Sequence, residues 1–550
     1  MADRPVEVAT LARPVRKRSL VSNHRRAGDQ TVATQSLFQS FAARLGLGSA
    51  PNTRNSEGAP AYALEPRAAL AQYAATGCFG STFYADAERE LATVKELLDL
   101  VGPDFIAKCA VYARENGRMK DMPAYLLAEL TSRAPLLAAR IFDRVVTNGR
   151  MLRTFVQIMR SGQTGRRSLG TLPKRLVERR LDSWSDEAVF RASVGTAPSL
   201  ADVVKMVHPK PKSASRRALY GYLLGRDFDA GALPPIVRHY EFWKNGATAE
   251  TPDVPFEMLA GLSLSREAWT AIALGASWQA LRMNLNTFLR HGVFESADVV
   301  ETLAARLGSR DEVRAAGALP YQLLAAWRNA LPALPAALGD ALARALEAAI
   351  ENVPEVSGRI AVCPDTSGSM QASITGRRAG ATSKVRAVDV AGLTAAAFLR
   401  RNANCLVLPF DTEVHEHDCA RTASVFENAE RFAALGGGGT ACWAPLEALA
   451  RRNLKVDLVI LVSDNESWFK ESSFTRTSTA NAWRKLRARN PKARLVCLDL
   501  APNRTTQVRD EDSVLNVGGF SDAVFDVIAE FAAGRIGSDR WVGIIERTEI

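Results

Sequence analysis

The sequence lacks the features that mark disulfide-rich, zinc-binding and membrane-spanning proteins. Its seven cysteines include no Cys-x-x-Cys pair, and several lie inside apolar segments where small buried side chains are expected. It has no uncharged apolar run of the roughly 18 residues that indicate a membrane helix. The opening Met1-Ala2-Asp3-Arg4-Pro5 does not resemble the start of a secretory signal. We therefore expect a cytoplasmic protein with no membrane partner.

Motifs of the common phosphate-transferring and acyl-transferring enzymes are also absent. The sequence has no Gly-x-x-x-x-Gly-Lys-Ser phosphate loop and no Gly-x-Ser-x-Gly nucleophile elbow. An aspartyl-phosphate phosphatase would carry Asp-x-Asp at a strand end, whereas this chain has Asp365-Thr366-Ser367 after an apolar run. We therefore predict that the protein is not an enzyme.

The largest part of the chain has a helical pattern. From 61 to 353, short segments with apolar residues at spacings of three and four are separated by Gly, Pro or polar residues, for example at 88–100, 105–116 and 135–147. Such a long succession of short amphipathic helices favours stacked helix pairs over a single bundle, although the repeats are too degenerate to fix a period. The prediction is an α-helical repeat domain.

The pattern changes after Pro354. Short, nearly continuous apolar runs at 359–363, 405–410, 456–462 and 494–500 are typical of strands buried on both faces of a parallel sheet. Helical stretches lie between them, and this alternation predicts a doubly wound α/β domain over 354–535. We predict a flexible basic arm over 1–60, with one short helix-like patch at 37–47, and a C-terminal tail over 536–550.

Three segments of the α/β domain offer oxygen ligands. Asp365, Ser367 and Ser369 follow the first predicted strand, Thr440 follows four glycines, and Asp464 follows the strand 456–462. In a doubly wound sheet the ends of such strands face one crevice. Carboxylate and hydroxyl oxygens are the ligands that Mg²⁺ prefers, so these five residues predict a Mg²⁺ site with an open position for a partner's oxygen.

A simpler explanation exists for part of this cluster. Asp, Ser and Thr are the usual helix-capping residues, and Asp365 with its serines could merely cap the next helix. Because Thr440 and Asp464 also fall at strand or turn ends, we favour the metal site.

Positive charge is concentrated within the helical part. The formal net charge is +11, and residues 144–180 contain ten Arg or Lys against one acid, Glu178. A second run, 205–217, has no acid. Such runs can neutralise a phosphate backbone, although a solvated helix face with its acids elsewhere in space is the alternative. We predict binding to RNA.

The order of these features resembles the TROVE family, the RNA-binding module of Ro ribonucleoproteins, followed by its von Willebrand factor type A (vWA) domain. The resemblance is carried by Gly77-Cys78-Phe79-Gly80-Ser81-Thr82-Phe83-Tyr84-Ala85, by Met119-Lys120-Asp121-Met122-Pro123, and by the segment 199–211 that contains His208. It covers about residues 60–535.

The resemblance implies a ring of HEAT-like repeats closed by the vWA domain. It implies binding of small Y-like RNAs on the outer surface, and of single-stranded ends of misfolded noncoding RNAs in a central hole. For bacterial members it implies a role in RNA quality control with an exoribonuclease such as polynucleotide phosphorylase. The five oxygen ligands would form a metal-ion-dependent adhesion site, and His208 would contact Y RNA. We expect a monomer.

The basic residues predicted to bind RNA come from both runs and from the resemblance. They are Lys120, Lys174, Arg175, Arg191, Lys205, His208, Lys210, Lys212, Arg216 and Arg217. Arg191 aligns only approximately with a basic RNA contact of the family, and position 195, where a further basic residue is expected, is Gly.

Two other functions remain as alternatives. The first is a Mg²⁺-dependent adaptor for protein partners whose basic charge is incidental. The second is a metal-dependent hydrolase, which is disfavoured because no second acid or base stands near Asp365 in the sequence.

Overall fold

The computed structural model describes residues 50–77, 86–248, 250–318, 320–351, 353–374, 384–468, 477–519, 523–535 and 540–550. The helices and strands that follow belong to one compact unit, Pro51–Ile550. The predicted patch at 37–47 and residues 78–85 of the TROVE-like opening segment lie outside the described residues.

Helices fill the chain from Pro66 to Ile350, and the described residues of this region contain no strand. In order they are α1 (Pro66–Thr76), α2 (Ala87–Leu100), α3 (Pro103–Glu115), α4 (Asp121–Arg133), α5 (Pro135–Val145), α6 (Gly149–Arg160), α7 (Thr171–Ser183), α8 (Asp186–Arg191), α9 (Leu200–Val207), α10 (Ala214–Leu224), α11 (Pro235–Lys244), α12 (Phe256–Ala260), α13 (Arg266–Gly275), α14 (Trp278–Arg290), α15 (Ala297–Leu307), α16 (Arg310–Ala315), α17 (Pro320–Asn329) and α18 (Ala336–Ile350).

Local sequence explains where many of these helices begin. Asn148, Ser185 and Ser265 each accept a hydrogen bond from a backbone N–H in the first turn of α6, α8 and α13. Pro103 and Pro135 occupy the first turn of α3 and α5, where the missing N–H costs nothing. The proline and polar residues that separate the predicted helical segments therefore mark real helix starts.

A parallel sheet follows the helices. Its strands are β3 (Ile360–Pro364), β4 (Cys405–Val407), β5 (Leu458–Ser463), β6 (Arg494–Asp499) and β8 (Val514–Gly518), in the order β4-β3-β5-β6-β8. All pairs are parallel. The helices between and after them are α19 (Ala387–Arg401), α20 (Val425–Ala433), α21 (Ala444–Arg451), α22 (Ser478–Arg489) and α23 (Ala523–Ala532). The predicted helical region followed by a doubly wound sheet is confirmed.

Each buried strand sends alternate side chains to two different cores. Ile360 and Val362 pack into the cluster that includes the apolar faces of the helical region, whereas Ala361 and Cys363 pack into the cluster on the other face. A period of two is the geometry of a strand, and burial on both faces explains why the sequence runs are continuously apolar.

The start of the described chain is ordered against the sheet domain, which corrects part of the predicted flexible arm. β1 (Thr53–Arg54) and β2 (Pro60–Ala63) form an antiparallel hairpin, and β2 pairs with β7 (Thr505–Thr506). The hairpin is stable here because β7 supplies the missing ladder partner.

The C-terminal segment also differs from the predicted tail. It contains α24 (Arg540–Glu546), which packs against α1 and α3. Lys108 Nζ donates a hydrogen bond of 2.6 Å to the Glu546 carbonyl. Burial of Ile545 among the apolar residues of the large core explains why this segment is helical and docked.

The last helices of the helical region contact the sheet domain as well. Trp327 of α17 stacks on Phe426 of α20 with ring centroids 4.6 Å apart. Arg400 of α19 forms a two-pronged ion pair with Glu347 of α18 at 2.9 and 3.0 Å. Gln72 of α1 donates a hydrogen bond to Asp499 of β6 at 3.1 Å, so the sheet domain is joined to the first helix as well as to the last ones. Among the described residues no helix combines the length and apolar character of a membrane span.

Candidate metal centre and nucleic-acid interface

The end of β3 places Asp365 in a buried position. Strand order reverses around β3, because β4 lies on one side and β5 on the other, and ligands of doubly wound sheets bind at such a point. The Asp365 N–H donates to the Val462 carbonyl at 2.9 Å, which aligns the ends of β3 and β5. Its side chain has no exposed surface, and Oδ1 accepts a hydrogen bond from the Ser367 N–H at 2.9 Å.

A glycine loop closes over this strand end. Gly437 N–H donates to the Thr366 carbonyl at 2.9 Å, and Gly368 N–H donates to the Gly438 carbonyl at 2.8 Å. A Cβ at Gly436 would lie 2.3 Å from the Thr366 hydroxyl oxygen, so only glycine permits this approach. The loop thereby delivers buried Thr440 to the edge where Asp365 lies.

The loop after β5 completes the arrangement. Trp468 N–H donates to the Thr440 carbonyl at 2.7 Å, which ties this loop to the glycine loop. Asp464 is 4% exposed, and its Oδ2 accepts no hydrogen bond from the described residues. The predicted ligands from three separate segments are thus brought to one edge of the sheet.

The buried carboxyls of Asp365 and Asp464 affect each other's ionisation. Burial and the neighbouring charge of Asp464 raise the pKa of Asp365, while hydrogen bonds from Ser367 and Ser463 oppose this. Burial also raises the pKa of Asp464, although the Ser369 hydroxyl partly offsets it. Two buried acids that share one site cannot both ionise cheaply. A bound cation would relieve both costs.

The donor set fits a hard divalent cation. The hydroxyls of Ser367 and Ser369 lie 3.3 Å apart, next to the two carboxylates. In the described part of the chain no three His, Cys, Asp or Glu side chains cluster as metal ligands, so hydroxyls would supply much of the coordination.

Two supporting residues were missed by sequence reasoning. Ser463 Oγ donates to Asp365 Oδ2 at 2.5 Å. Asp411, just beyond β4, accepts a hydrogen bond from the Gly438 N–H at 2.9 Å and lies 2.8 Å from His415 Nε2, so it anchors the glycine loop. The signal for Asp411 was available, because the segment Leu408-Pro409-Phe410-Asp411 also ends an apolar run in an acid.

The basic residues of the second run surround a cleft. Lys205, His208, Arg217 and Arg226 line a cavity of about 380 Å³ next to Tyr220 and other residues of α10. His208 ends α9 in the left-handed conformation with φ 56°, which turns the chain toward exposed Lys210. Lys205 and His208 are exposed too. One acid, Asp227, also lines the cavity, so the lining carries three Lys or Arg side chains against one carboxylate.

The other predicted RNA contacts do not line this cleft. Some of them are exposed on other helices, and others form ion pairs with acids. Lys174 and Arg175 are exposed on α7, and Lys120 is exposed at the start of α4. Lys212 pairs with Asp182 at 2.7 Å, and Arg191 pairs with Asp253 at 2.5 Å.

Arg216 is the exception, because the structure places it in the interior. It is 9% exposed, and its Nε lies 2.5 Å from Asp186 Oδ1. The remaining donors reach the carbonyls of Leu181 and Trp184 at 2.9 and 2.6 Å. The guanidinium of Arg216 therefore makes the contacts that hold α7, α8 and α10 together. The prediction that Arg216 contacts RNA is corrected.

Comparisons with known proteins agree with this architecture. Residues 359–532 match the family model of the Ro60 vWA domain. The RNA-binding protein RO60 of Deinococcus radiodurans is 25% identical over 523 residues, which cover 88% of this chain and 96% of that protein. The resemblance to the Ro family is thus confirmed.

A solved structure of a Ro protein has the same fold. The crystal structure of the Deinococcus radiodurans Ro (Rsr) protein aligns with a TM-score of 0.59 at 20% identity, covering 86% of this chain and all of that one. The Ro fold therefore extends over the helical region as well as over the vWA domain.

Proposed function

We propose that this Ro-family protein is a non-catalytic RNA-binding scaffold. The observation that carries the proposal is the exposed cleft of Lys205, His208 and Arg217, in a chain similar over most of its length to a protein named as RNA-binding. Cationic side chains around a cleft can bind phosphates and release counterions. Small structured RNAs of the Y type, and single-stranded ends of misfolded noncoding RNAs, are the proposed ligands.

The vWA domain would serve docking. Asp365, Ser367, Ser369, Thr440 and Asp464 would hold Mg²⁺, directly or through water. The bound ion would supply a positive charge able to accept an oxygen ligand from a partner. An exoribonuclease such as polynucleotide phosphorylase is the proposed partner, and RNA quality control in the cytoplasm the proposed setting.

The test of RNA binding compares the wild-type chain with the triple variant Lys205→Ala, His208→Ala and Lys210→Ala. We expect weaker binding of a structured small RNA in gel-shift titrations, and a flatter dependence on salt because fewer counterions are released. Lys492→Ala, an exposed lysine in the vWA domain, is the control. Equal retention of RNA by all three proteins would reject the assigned surface.

A Mg²⁺-dependent adaptor without an RNA role is the competing function. The cheap observation that separates the two is the ratio of absorbance at 260 and 280 nm of the purified protein. Protein free of nucleic acid that binds no RNA in any titration would favour the adaptor.

A further inference from the structure

Arg153 occupies the space beside Gly195. Gly195 has φ 103°, a conformation that other residues rarely adopt. A Cβ at this position would lie 1.6 Å from Arg153 Nη1 and 2.7 Å from Nη2. The guanidinium on α6 is therefore seated against the backbone of the loop that precedes α9. The absence of a side chain at 195 is what makes room for it.

No acid among the described residues forms an ion pair with Arg153. The Nε of Arg153 donates to the Gly149 carbonyl at 3.2 Å. Burial, together with the like charge of Arg150 one turn earlier, holds its pKa below the usual value. A half-buried cation next to another cation gains from a bound anion, because the anion replaces lost hydration and removes the repulsion.

The same face of α6 continues the positive charge. Arg150, Arg153, Gln157 and Arg160 are spaced by three, four and three residues, so they lie along one side of the helix. We call these four residues the α6 strip. At its far end, Gln157 and Arg160 form one wall of a groove of about 670 Å³.

The groove joins the α6 strip to the cleft around His208. Its other wall contains Pro198, Asp202 and Lys205, and Lys205 also lines the cleft of about 380 Å³. The carboxylate of Asp202 faces this wall, but its Oδ2 accepts hydrogen bonds from the Ser199 N–H at 3.0 Å and from the Ser199 hydroxyl at 2.7 Å. These hydrogen bonds cap α9 and keep the carboxylate ionised, because they lower the pKa of Asp202. The charged lining of the groove is therefore two cations, Arg160 and Lys205, against this one acid.

We propose that the α6 strip binds phosphate groups of an RNA strand and extends the RNA site from the His208 cleft across the groove. Arg153, positioned by Gly195, is its principal contact, and Arg160 continues the path toward Lys205. This inference rests on the proposed function. Arginine suits the task because its planar fork can donate two hydrogen bonds to one phosphate.

The experiment measures affinity and salt dependence for an oligouridylate and for a structured hairpin RNA. Two variants of the full chain are tested separately, Arg153→Gln and Arg160→Gln. We expect a loss of about tenfold in affinity, about 1.4 kcal/mol, for each arginine, because each substitution removes a charged hydrogen bond to a phosphate. The slope of log affinity against log salt should fall by about 0.7 for each phosphate contact that is lost on a single strand.

Two further variants separate charge from position. Arg314→Gln removes the same charge from an exposed arginine that pairs with Glu351 outside the groove, and we expect unchanged binding. Gly195→Ala keeps every charge but removes the space for Arg153, and we expect it to weaken RNA binding as Arg153→Gln does. Thermal melting identifies a Gly195 variant that has lost its fold, in which case the arginine variants decide.

The outcomes distinguish this inference from the function on which it rests. If the arginine variants bind both RNAs like the wild type while the Lys205, His208 and Lys210 variant fails, the α6 strip is not part of the site and the proposed function stands. If the wild type binds neither RNA, both are rejected. If poly-glutamate displaces the oligouridylate from the wild type but not from the arginine variants, the strip binds acidic protein segments tightly. That result overturns the assignment of the strip to RNA.

Discussion

Arg328 Nη2 lies 2.8 Å from Asp389 Oδ1, and this ion pair crosses from the last helices of the helical region to the vWA domain. The Asp389 side chain is fully buried, and it also pairs with Arg386 at 2.6 Å. Of the two guanidinium groups on this carboxylate, that of Arg328 is the one that links the helical region to the vWA domain.

Removing this carboxylate should destabilise the protein. We expect Asp389→Ala to lower the free energy of unfolding by about 1–3 kcal/mol, because Arg328 and Arg386 lose a charged hydrogen-bond partner while Arg328 keeps Glu430 at 3.4 Å. Urea titration followed by tryptophan fluorescence measures the change. Glu351→Ala breaks exposed ion pairs with Arg310 and Arg314, and its cost should stay near 0–1 kcal/mol. Equal costs for the two variants would contradict the assigned role.

Two adjacent arginines should behave in opposite ways. Arg216→Ala leaves Asp186 and two carbonyls without their buried partner, and we expect a loss of about 3 kcal/mol in unfolding free energy. Arg217→Ala removes an exposed cation that lines the cleft, so stability should change by less than about 0.5 kcal/mol while RNA affinity falls. Urea titrations and gel shifts on both variants check this. An Arg216 variant of normal stability would refute the interior role.

Mg²⁺ should stabilise the vWA domain. At a concentration ten times its dissociation constant, the ion should add about 1.4 kcal/mol to the free energy of unfolding, because only the folded chain assembles the ligands. Thermal melting with and without MgCl₂ measures this. Asp464→Asn should abolish the effect, whereas Asp418→Asn, at an exposed acid, should retain it. A Mg²⁺ effect of the same size in both variants would count against the site.

The metal-free protein should lose stability as pH rises. Burial and Asp464 raise the pKa of Asp365 from 3.8 to about 7, so the folded state binds a proton that the unfolded state has already released. The stabilising contribution is full below pH 4 and is lost progressively up to about pH 7. Melting temperatures in EDTA across this range test the sign. Asp365→Asn should flatten the profile, and a steeper profile in that variant would refute the assignment.

The positions of Asp365 and Asp464 could be predicted because each follows an apolar run and a topological rule places such strand ends together. β8 could not, because Asn516 interrupts its apolar pattern. Its amide is satisfied by Asp510 at 2.8 Å and by the Val508 carbonyl at 3.0 Å, contacts that depend on the folded chain. Local propensity contains no information about such partners.

The basic residues show a similar limit. Composition identified the run that contains Arg216 and Arg217, but only the packing of α7, α8 and α10 buries one and exposes the other. The pairing of Arg153 with Gly195 depends on residues 42 positions apart on different elements. Charge runs therefore predict an interface without predicting which of its members are available.

The hairpin of β1 and β2, and the helix α24, have a consequence for dissecting the molecule. The hairpin begins the described chain and α24 ends it, yet β2 hydrogen-bonds to β7 of the sheet domain, and α24 packs on α1 and α3 of the helical region. Each half of the protein therefore packs against an element from the opposite end of the polypeptide. A cut near residue 354 would leave both fragments with unpaired strand edges or bare apolar helix faces, which favour aggregation. Single substitutions in the intact chain are accordingly the sounder way to assign activity to either half.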